Sequence, residues 1–132
     1  MYIWGSGIFV NDDALDWIYD LKENGSKSRV ESALGVILKN RADVLEISDC
    51  RIALVAAEVI AAMNGNPNPD LPEELEEWIG DEILNDEYLR IKAVNVVKNI
   101  LNGSGSPKLT STNDFNNEKK QPLQDLLNRL EI

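Results

Sequence analysis

The sequence predicts an all-α protein, a single-domain bundle of about six helices behind a short extended N-terminal lead-in. Two observations carry this prediction. Apolar residues recur at the three- and four-residue spacings of helices, and Asn-Gly, Gly or Pro ends most segments. The chain has 132 residues, 43% of them hydrophobic, so residues 1–132 are predicted to form one domain with one core.

The N-terminal residues Met1–Val10 are aromatic and β-branched and include two glycines. They are predicted to form the extended or irregular lead-in, with Trp4 and Phe9 packed onto the domain. A first helix follows from the N-cap Asn11 to about Glu23. Its apolar residues at helical spacing are Ala14, Leu15, Ile18 and Leu21.

A second helix is predicted to begin at a capping box formed by Ser28 and Glu31 and to end at about Lys39. It has the clearest amphipathic pattern in the chain. The residues of its apolar stripe are Val30, Ala33, Leu34, Ile37 and Leu38.

A third helix is predicted from a cap at Ser48 or Asp49 to about Met63. It is apolar nearly all round and rich in alanine, which is typical of the buried centre of a bundle. Cys50 lies at its start and is interpreted as a buried, inert thiol. Because the chain has no histidine, this cysteine has no imidazole with which to form a nucleophilic pair.

Asn-Gly ends the third helix, and the Asn-Pro-Asn-Pro connector at 66–69 is predicted to be rigid. Asp70 and Pro72 open a short fourth helix, which Gly80 closes. The apolar face of this helix consists of Leu75, Trp78 and Ile79.

A fifth helix is predicted from about Asn85 to Leu101. Its buried side is marked by Leu89, Ala93, Val96, Val97 and Ile100. Residues 102–120 are rich in Gly, Ser, Asn and Lys and are predicted to form a flexible loop. Pro122 then starts a sixth helix, whose leucine face is expected to dock onto the bundle. That face consists of Leu123, Leu126, Leu127 and Leu130.

The composition argues against several classes of function. The absence of histidine removes the commonest general base and the commonest metal ligand, so we expect a protein that is not an enzyme and has no metal or cofactor. A single cysteine precludes an internal disulfide and fits a reducing compartment. We also find no signal peptide and no long apolar run, and we therefore expect a cytoplasmic protein.

The formal net charge of −10 is concentrated in one segment. Between Ile52 and Leu89 there are ten acidic residues and no Lys or Arg, whereas the rest of the chain carries 13 acids and 13 bases. Such a field repels nucleic acid and anionic membranes and attracts basic proteins. We predict a partner-binding surface made of Asp70, Glu73, Glu74, Glu76, Glu77, Asp81, Glu82, Asp86 and Glu87.

Other interpretations of the acidic residues are weaker. Asp12, Asp16 and Asp20 share a helix face and could in principle serve acid–base chemistry, but such sites in glycosidases need a cleft and sugar-stacking aromatics. The alternating polar residues of Asn64–Asp70 superficially suggest a calcium loop, but its prolines do not fit the ligand ladder. An acidic segment can also serve only to keep a protein soluble.

The N-terminal pattern Trp-Gly-x-Gly-x-Phe-x-Asn-Asp-x-Ala-x-Asp-Trp at 4–17 resembles a family of small, mostly bacterial proteins known as a domain of unknown function. The resemblance continues through the alanine-rich run at 53–62, Gly65, Pro67 and the Leu-Pro-Glu at 71–73, roughly the first hundred residues. It implies an all-α fold and no particular activity. After Asn102 the sequence departs from the family pattern, which continues with a tryptophan-containing helix.

In its general features the chain is similar to immunity proteins of contact-dependent growth-inhibition systems: it is small, acidic and without evident catalytic groups. Our hypothesis is therefore an inhibitor that occludes the basic active site of a bacterial toxin, expected to be a nuclease. The alternative is a regulatory or adaptor module that binds a protein other than a toxin. The expected partner is a basic protein, not nucleic acid or a membrane.

Overall fold

The computed structural model describes residues 8–9, 12–40, 46–80, 86–101 and 117–131. Over these residues the chain forms six helices and no strand, which confirms the predicted all-α class. The helices are α1 (Asp12–Asn24), α2 (Lys27–Lys39), α3 (Ile47–Met63), α4 (Glu73–Ile79), α5 (Glu87–Leu101) and α6 (Asn117–Glu131).

Helix α3 is the centre of the bundle, as its alanine-rich sequence predicted. It packs against each of the other five helices. Every side chain from Ala53 to Ala61 is at most 1% exposed to solvent. The small alanine side chains allow neighbouring helices to approach closely from several directions, so α3 contributes to the contacts of every other described helix with the core.

The other helices cover α3 with the apolar faces that the sequence indicated. Cys50 is completely buried, as expected of an inert thiol. Helix α6 docks through its leucine face: Leu123, Leu126 and Leu130 are at most 1% exposed. Trp17 packs into the core, and Trp78 packs against it while remaining partly exposed.

The lead-in is described only at Ile8 and Phe9, which form a turn and are each 4% exposed. The predicted packing of Phe9 onto the domain is therefore confirmed. Trp4 and the N-cap Asn11 lie outside the described residues.

Two helix starts differ from the prediction. Helix α2 begins at Lys27, so Ser28 already lies within the helix and the predicted capping box is wrong. Helix α3 begins after Glu46, whose side chain accepts a bond from the backbone of Asp49, while the Asp49 carboxylate accepts the Glu46 N–H at 2.9 Å. The cap is therefore Glu46, two or three residues earlier than the predicted cap at Ser48 or Asp49.

Helix α6 also starts earlier than predicted, at Asn117 instead of Pro122. Proline lacks the N–H that would bond to the carbonyl four residues before it, which favours a start at Pro122. The preceding Glu-Lys-Lys-Gln residues have good helix propensity, and the helix extends through them. The remainder of the predicted flexible loop, residues 102–116, lies outside the described part of the chain.

Two leucines predicted on buried stripes are exposed instead: Leu15 is 51% and Leu38 is 38% exposed. In α1 the residues that face the core are Ala14, Trp17, Ile18 and Leu21. Leu15 lies at the edge of that face, and α4 does not cover it completely. None of the described helices is long and apolar enough to cross a membrane.

Candidate functional site

The ten acidic residues between Ile52 and Leu89 fall into distinct structural groups. Glu58 is completely buried, whereas Asp86 and Glu87 stabilise the start of α5. Asp81 and Glu82 lie outside the described residues. The remaining acids are exposed at α4 and just before it: Asp70, Glu73, Glu74, Glu76 and Glu77.

Glu58 forms a buried ion pair with Arg129. Its Oε1 accepts a hydrogen bond from Nη1 of Arg129 at 2.7 Å, and its Oε2 accepts one from Nη2 at 3.0 Å. The Nδ2 of Asn68 donates to Oε2 at 3.0 Å. This bidentate geometry and the third donor compensate a carboxylate that is 0% exposed within an apolar helix.

Arg129 extends the network to the connector after α3. Its Nη1 donates to the carbonyl of Asn66 at 3.3 Å, and Nδ2 of Asn66 donates to the carbonyl of Arg129 at 3.2 Å. Its Nε donates to Oδ2 of Asp125 at 2.9 Å. Burial lowers the pKa of Arg129, but hydrogen bonds and attraction from Glu58 and Asp125 outweigh burial and raise it.

This network was not predicted from the sequence, although the sequence contains a signal for a buried charge. A single glutamate within an otherwise apolar run predicts a buried charge that requires a partner. Arg129 is 71 residues away, so the identity of the partner depends on where α6 docks. The network joins the connector to α6, and α4 begins four residues after the end of this connector.

Asp86 and Glu87 have structural roles at the start of α5. Oδ1 of Asp86 accepts the N–H of Leu89 at 3.1 Å, and Oδ2 lies 4.0 Å from Nζ of Lys27. Glu87 accepts hydrogen bonds from Nε of Arg90 at 3.1 and 3.2 Å. Those hydrogen bonds, together with the positive charge of Arg90, lower the pKa of Glu87 in spite of its partial desolvation.

Replacing Asp86 by alanine is expected to lower the free energy of unfolding by about 1 kcal/mol, because the N–H of Leu89 loses its capping acceptor. Urea unfolding followed by circular dichroism measures the change. Asp86→Asn is the control, because it removes the charge and keeps a capping oxygen. Equal losses in the two variants would contradict capping as the reason for the effect.

The exposed acids of α4 form what we call the acidic ridge, which consists of Glu73, Glu74, Glu76 and Glu77. Helix α4 begins after Pro72, an N-cap without a side-chain hydrogen bond, and ends at Gly80, whose positive φ of 71° favours glycine. Leu75 anchors the helix at 1% exposure. Among the described residues, no ion pair involves a carboxylate of the ridge.

The charges of the ridge are only partly explained by helix stability. Glu73, Glu74 and Glu76 lie in the first turn, where negative charge interacts favourably with the helix dipole. Glu77 lies in the last turn, where negative charge is unfavourable. Its spacing from Glu73 also places two like charges four residues apart, an arrangement that destabilises a helix.

A groove lies on each side of the ridge. The α1–α4 groove has a volume of about 360 Å³ and is lined by Leu15, Ile18, Tyr19, Lys22, Pro72 and Glu74. The α3–α4 groove has a volume of about 280 Å³ and is lined by Ala62, Pro67, Leu71, Glu76, Ile79 and Gly80. Each groove therefore combines apolar side chains with one glutamate of the ridge.

The carboxylates considered for acid–base catalysis or calcium binding do not form a common site in the described residues. Asp20 pairs with Arg29, and Asp12 and Asp16 are exposed on α1. In the polar stretch Asn64–Asp70, Asn68 donates to Glu58 and accepts the N–H of Asp70 at 2.8 Å. Where the structure describes the chain, no group of three or more Cys, Asp or Glu side chains is placed to hold a metal ion.

Comparison with known families gives a match to the model of a domain of unknown function, DUF4259, over residues 3–127. The match extends into α6, further than the first hundred residues on which the sequence resemblance rested. Neither the curated proteins nor the solved structures gave a match. Because the family model covers almost the whole chain, the protein belongs to the DUF4259 family.

Proposed function

We propose that this protein is a non-enzymatic inhibitor, an immunity protein that neutralises a basic bacterial toxin, most simply a nuclease, by covering its active site with the acidic ridge. One observation carries the proposal. Glu73, Glu74, Glu76 and Glu77 are exposed on a single short helix, and no cation of the described chain neutralises them.

The mechanism follows from the charge of nuclease active sites. A surface that binds the phosphates of RNA or DNA is lined by Lys and Arg. A helix carrying several carboxylates presents negative charges that can occupy the same positions as phosphates. The attraction also accelerates encounter and fixes orientation, so a toxin is captured before it reaches nucleic acid.

The position of Glu77 supports a role in binding. The folded protein gains nothing from a negative charge in the last turn of α4, since no basic residue of that turn pairs with it. A partner that supplies Lys or Arg would relieve both this unfavourable charge and its repulsion with Glu73. Residues that are unfavourable for the free protein are often explained by function.

Reversing two charges on the ridge, with Glu73→Lys and Glu77→Lys together, is expected to weaken partner binding at least about tenfold, since attraction becomes repulsion. The partner is first captured from the source cells by affinity purification and identified by mass spectrometry. Its affinity for each variant is then measured by calorimetry at physiological ionic strength.

The control is Glu23→Lys with Glu131→Lys, which changes the net charge equally at exposed positions far from α4 in sequence. Reversal at position 131 also removes the exposed ion pair with Lys98, which is expected to contribute less than about 1 kcal/mol to stability. Equal affinities for both double variants and the original protein would remove the ridge from the interface. The captured protein is also expressed alone and together with this chain. Growth arrest relieved by co-expression supports immunity, whereas a harmless partner favours the adaptor alternative.

A further inference from the structure

We infer that the α1–α4 groove binds an apolar side chain carried by a basic segment of the protein partner. The inference rests on the proposed function and deepens it, because it assigns two parts to the recognition site. The acidic ridge attracts a positively charged segment, and the groove beside it receives a large aliphatic or aromatic residue of that segment.

The groove offers apolar surface that the fold does not use. Leu15 is 51% and Tyr19 is 68% exposed, and both line the groove together with Pro72 from the start of α4. No hydrogen bond between described residues involves the hydroxyl of Tyr19. Buried aromatic and aliphatic anchors contribute most of the affinity at many protein interfaces.

Acidic residues flank these apolar side chains on both α1 and α4. Glu74 belongs to both the ridge and the groove lining. Asp12 and Asp16 are exposed on α1 three residues before Leu15 and Tyr19, so they lie beside these side chains on the helix surface. Lys22 also lines the groove, but the carboxylates nearby outnumber it. The groove is therefore complementary to an apolar residue flanked by positive charges.

A second copy of this chain does not fit the groove as well as a basic partner. Each chain carries a formal charge of −10, so pairing of two acidic surfaces is opposed by like-charge repulsion. A basic segment gains from the same field.

The exposed apolar residues on α5 provide a contrast. Tyr88 and Ile91 are 63% and 49% exposed, close to the values for Tyr19 and Leu15. Within the fold, however, the hydroxyl of Tyr88 donates to Glu31 at 3.4 Å, and Nζ of Lys92 lies 5.5 Å from the centroid of the Tyr88 ring. Nζ of Lys92 also lies 3.3 Å from Oε1 of Glu31, so the cation and the carboxylate of this patch neutralise each other. The patch is therefore a matched control of similar apolar exposure whose charges are already paired within the fold.

The test uses two short synthetic peptides that contain only lysine except at the central position. One has a central tryptophan and the other a central alanine. Binding to the isotopically labelled full chain is measured by nuclear magnetic resonance titration at low and at physiological salt. We expect the tryptophan peptide to bind at least about tenfold more tightly and to shift the signals of α1 and α4.

Leu15→Ser and Tyr19→Ala are expected to reduce the affinity of the tryptophan peptide to that of the alanine peptide. The affinity of the alanine peptide should not change. Ile91→Ser and Tyr88→Ala are the matched controls and should leave both affinities unchanged. Since all four residues are exposed, their urea unfolding midpoints should stay close to that of the original protein.

The two proposals fail in different ways. If both peptides bind equally and Glu73→Lys with Glu77→Lys weakens the binding of both, the acidic ridge still binds basic segments. The proposal that the α1–α4 groove receives an apolar side chain is then wrong. If the α5 controls Ile91→Ser and Tyr88→Ala lower the affinity of the tryptophan peptide as much as the groove variants do, the proposed role of the groove is also wrong. If neither peptide binds, or if the ridge variant leaves binding unchanged, the acidic ridge is not a binding surface. Both the proposed function and the inference about the groove are then wrong.

Discussion

Replacing Arg129 by methionine is expected to lower the free energy of unfolding by about 3–5 kcal/mol, since it leaves the carboxylate of Glu58 buried without its cation. The side chain of Glu58 is 0% exposed and that of Arg129 is 12% exposed, so water cannot readily replace the lost partner. Urea unfolding monitored by circular dichroism measures the change.

The double variant Glu58→Met with Arg129→Met distinguishes two effects. One is the cost of leaving Glu58 without a partner, and the other is the contribution of the ion pair itself to the free energy of unfolding. With both charges removed, no uncompensated ion remains, and two apolar side chains fill most of the space. We therefore expect the double variant to be clearly more stable than Arg129→Met alone. A double variant as unstable as the sum of the two single variants would contradict this explanation.

An exposed ion pair between α5 and α6 gives the matched control. Nζ of Lys98 lies 3.6 Å from Oε1 of Glu131, and both side chains are about half exposed. Lys98→Met should change the free energy of unfolding by less than about 1 kcal/mol, because water solvates the glutamate that remains. A similar loss for Lys98→Met and Arg129→Met would show that burial of Glu58 is not the cause.

Helix α3 is expected to tolerate neither smaller nor larger side chains at its buried positions. Leu54 and Ala57 are both 0% exposed. Leu54→Ala should lower the free energy of unfolding by about 2–5 kcal/mol, since it removes buried methyl groups and leaves a cavity. Ala57→Leu should lower it by about 1–3 kcal/mol, because the neighbouring helices must move apart to accept the larger side chain.

Ala62 lies on the same helix and provides the control for Ala57. It is only partly buried and lines the α3–α4 groove, so a leucine there can extend into open space. Ala62→Leu is expected to be much less destabilising than Ala57→Leu in the same urea experiment. If the two leucine variants lose equal stability, close packing around the centre of α3 is not the reason.

The buried ion pair also connects stability with the proposed recognition site. Arg129 holds the carbonyl of Asn66, and Glu58 holds the side chain of Asn68, so both ends of the pair fix the connector. The acidic ridge begins only a few residues further along the chain. We therefore expect the position of α4 relative to the core to depend on the docking of α6.

Much of the fold could be read from the chain because helix formation is governed by near neighbours. The alanine-rich run at 53–62 predicted a buried central helix, and Gly80 predicted the end of α4. Helix starts were less predictable, since several polar residues compete for each cap. The N-cap of α3 is Glu46 and not Ser48, because Glu46 and Asp49 exchange hydrogen bonds between side chain and backbone.

The candidate site could be predicted only as a segment of sequence. Composition located the whole negative excess between Ile52 and Leu89, and the predicted surface included Glu77 and left out Glu58, but the charge count alone does not show where either side chain lies. The structure separates them: one is buried against Arg129 and the other is exposed on α4. The sequence also placed Leu15 in the core, whereas the structure exposes it in a groove beside the acids.

By itself, then, the sequence determined the helical class, the central position of α3 and the segment that carries the charge excess. These follow from spacing and composition, which are local properties of a chain. Only the tertiary structure decided which acids face solvent, which cation neutralises Glu58 and which apolar residues α4 leaves uncovered. The physical reason is that burial and ion pairing depend on contacts between helices far apart in sequence, as the 71 residues between Glu58 and Arg129 show.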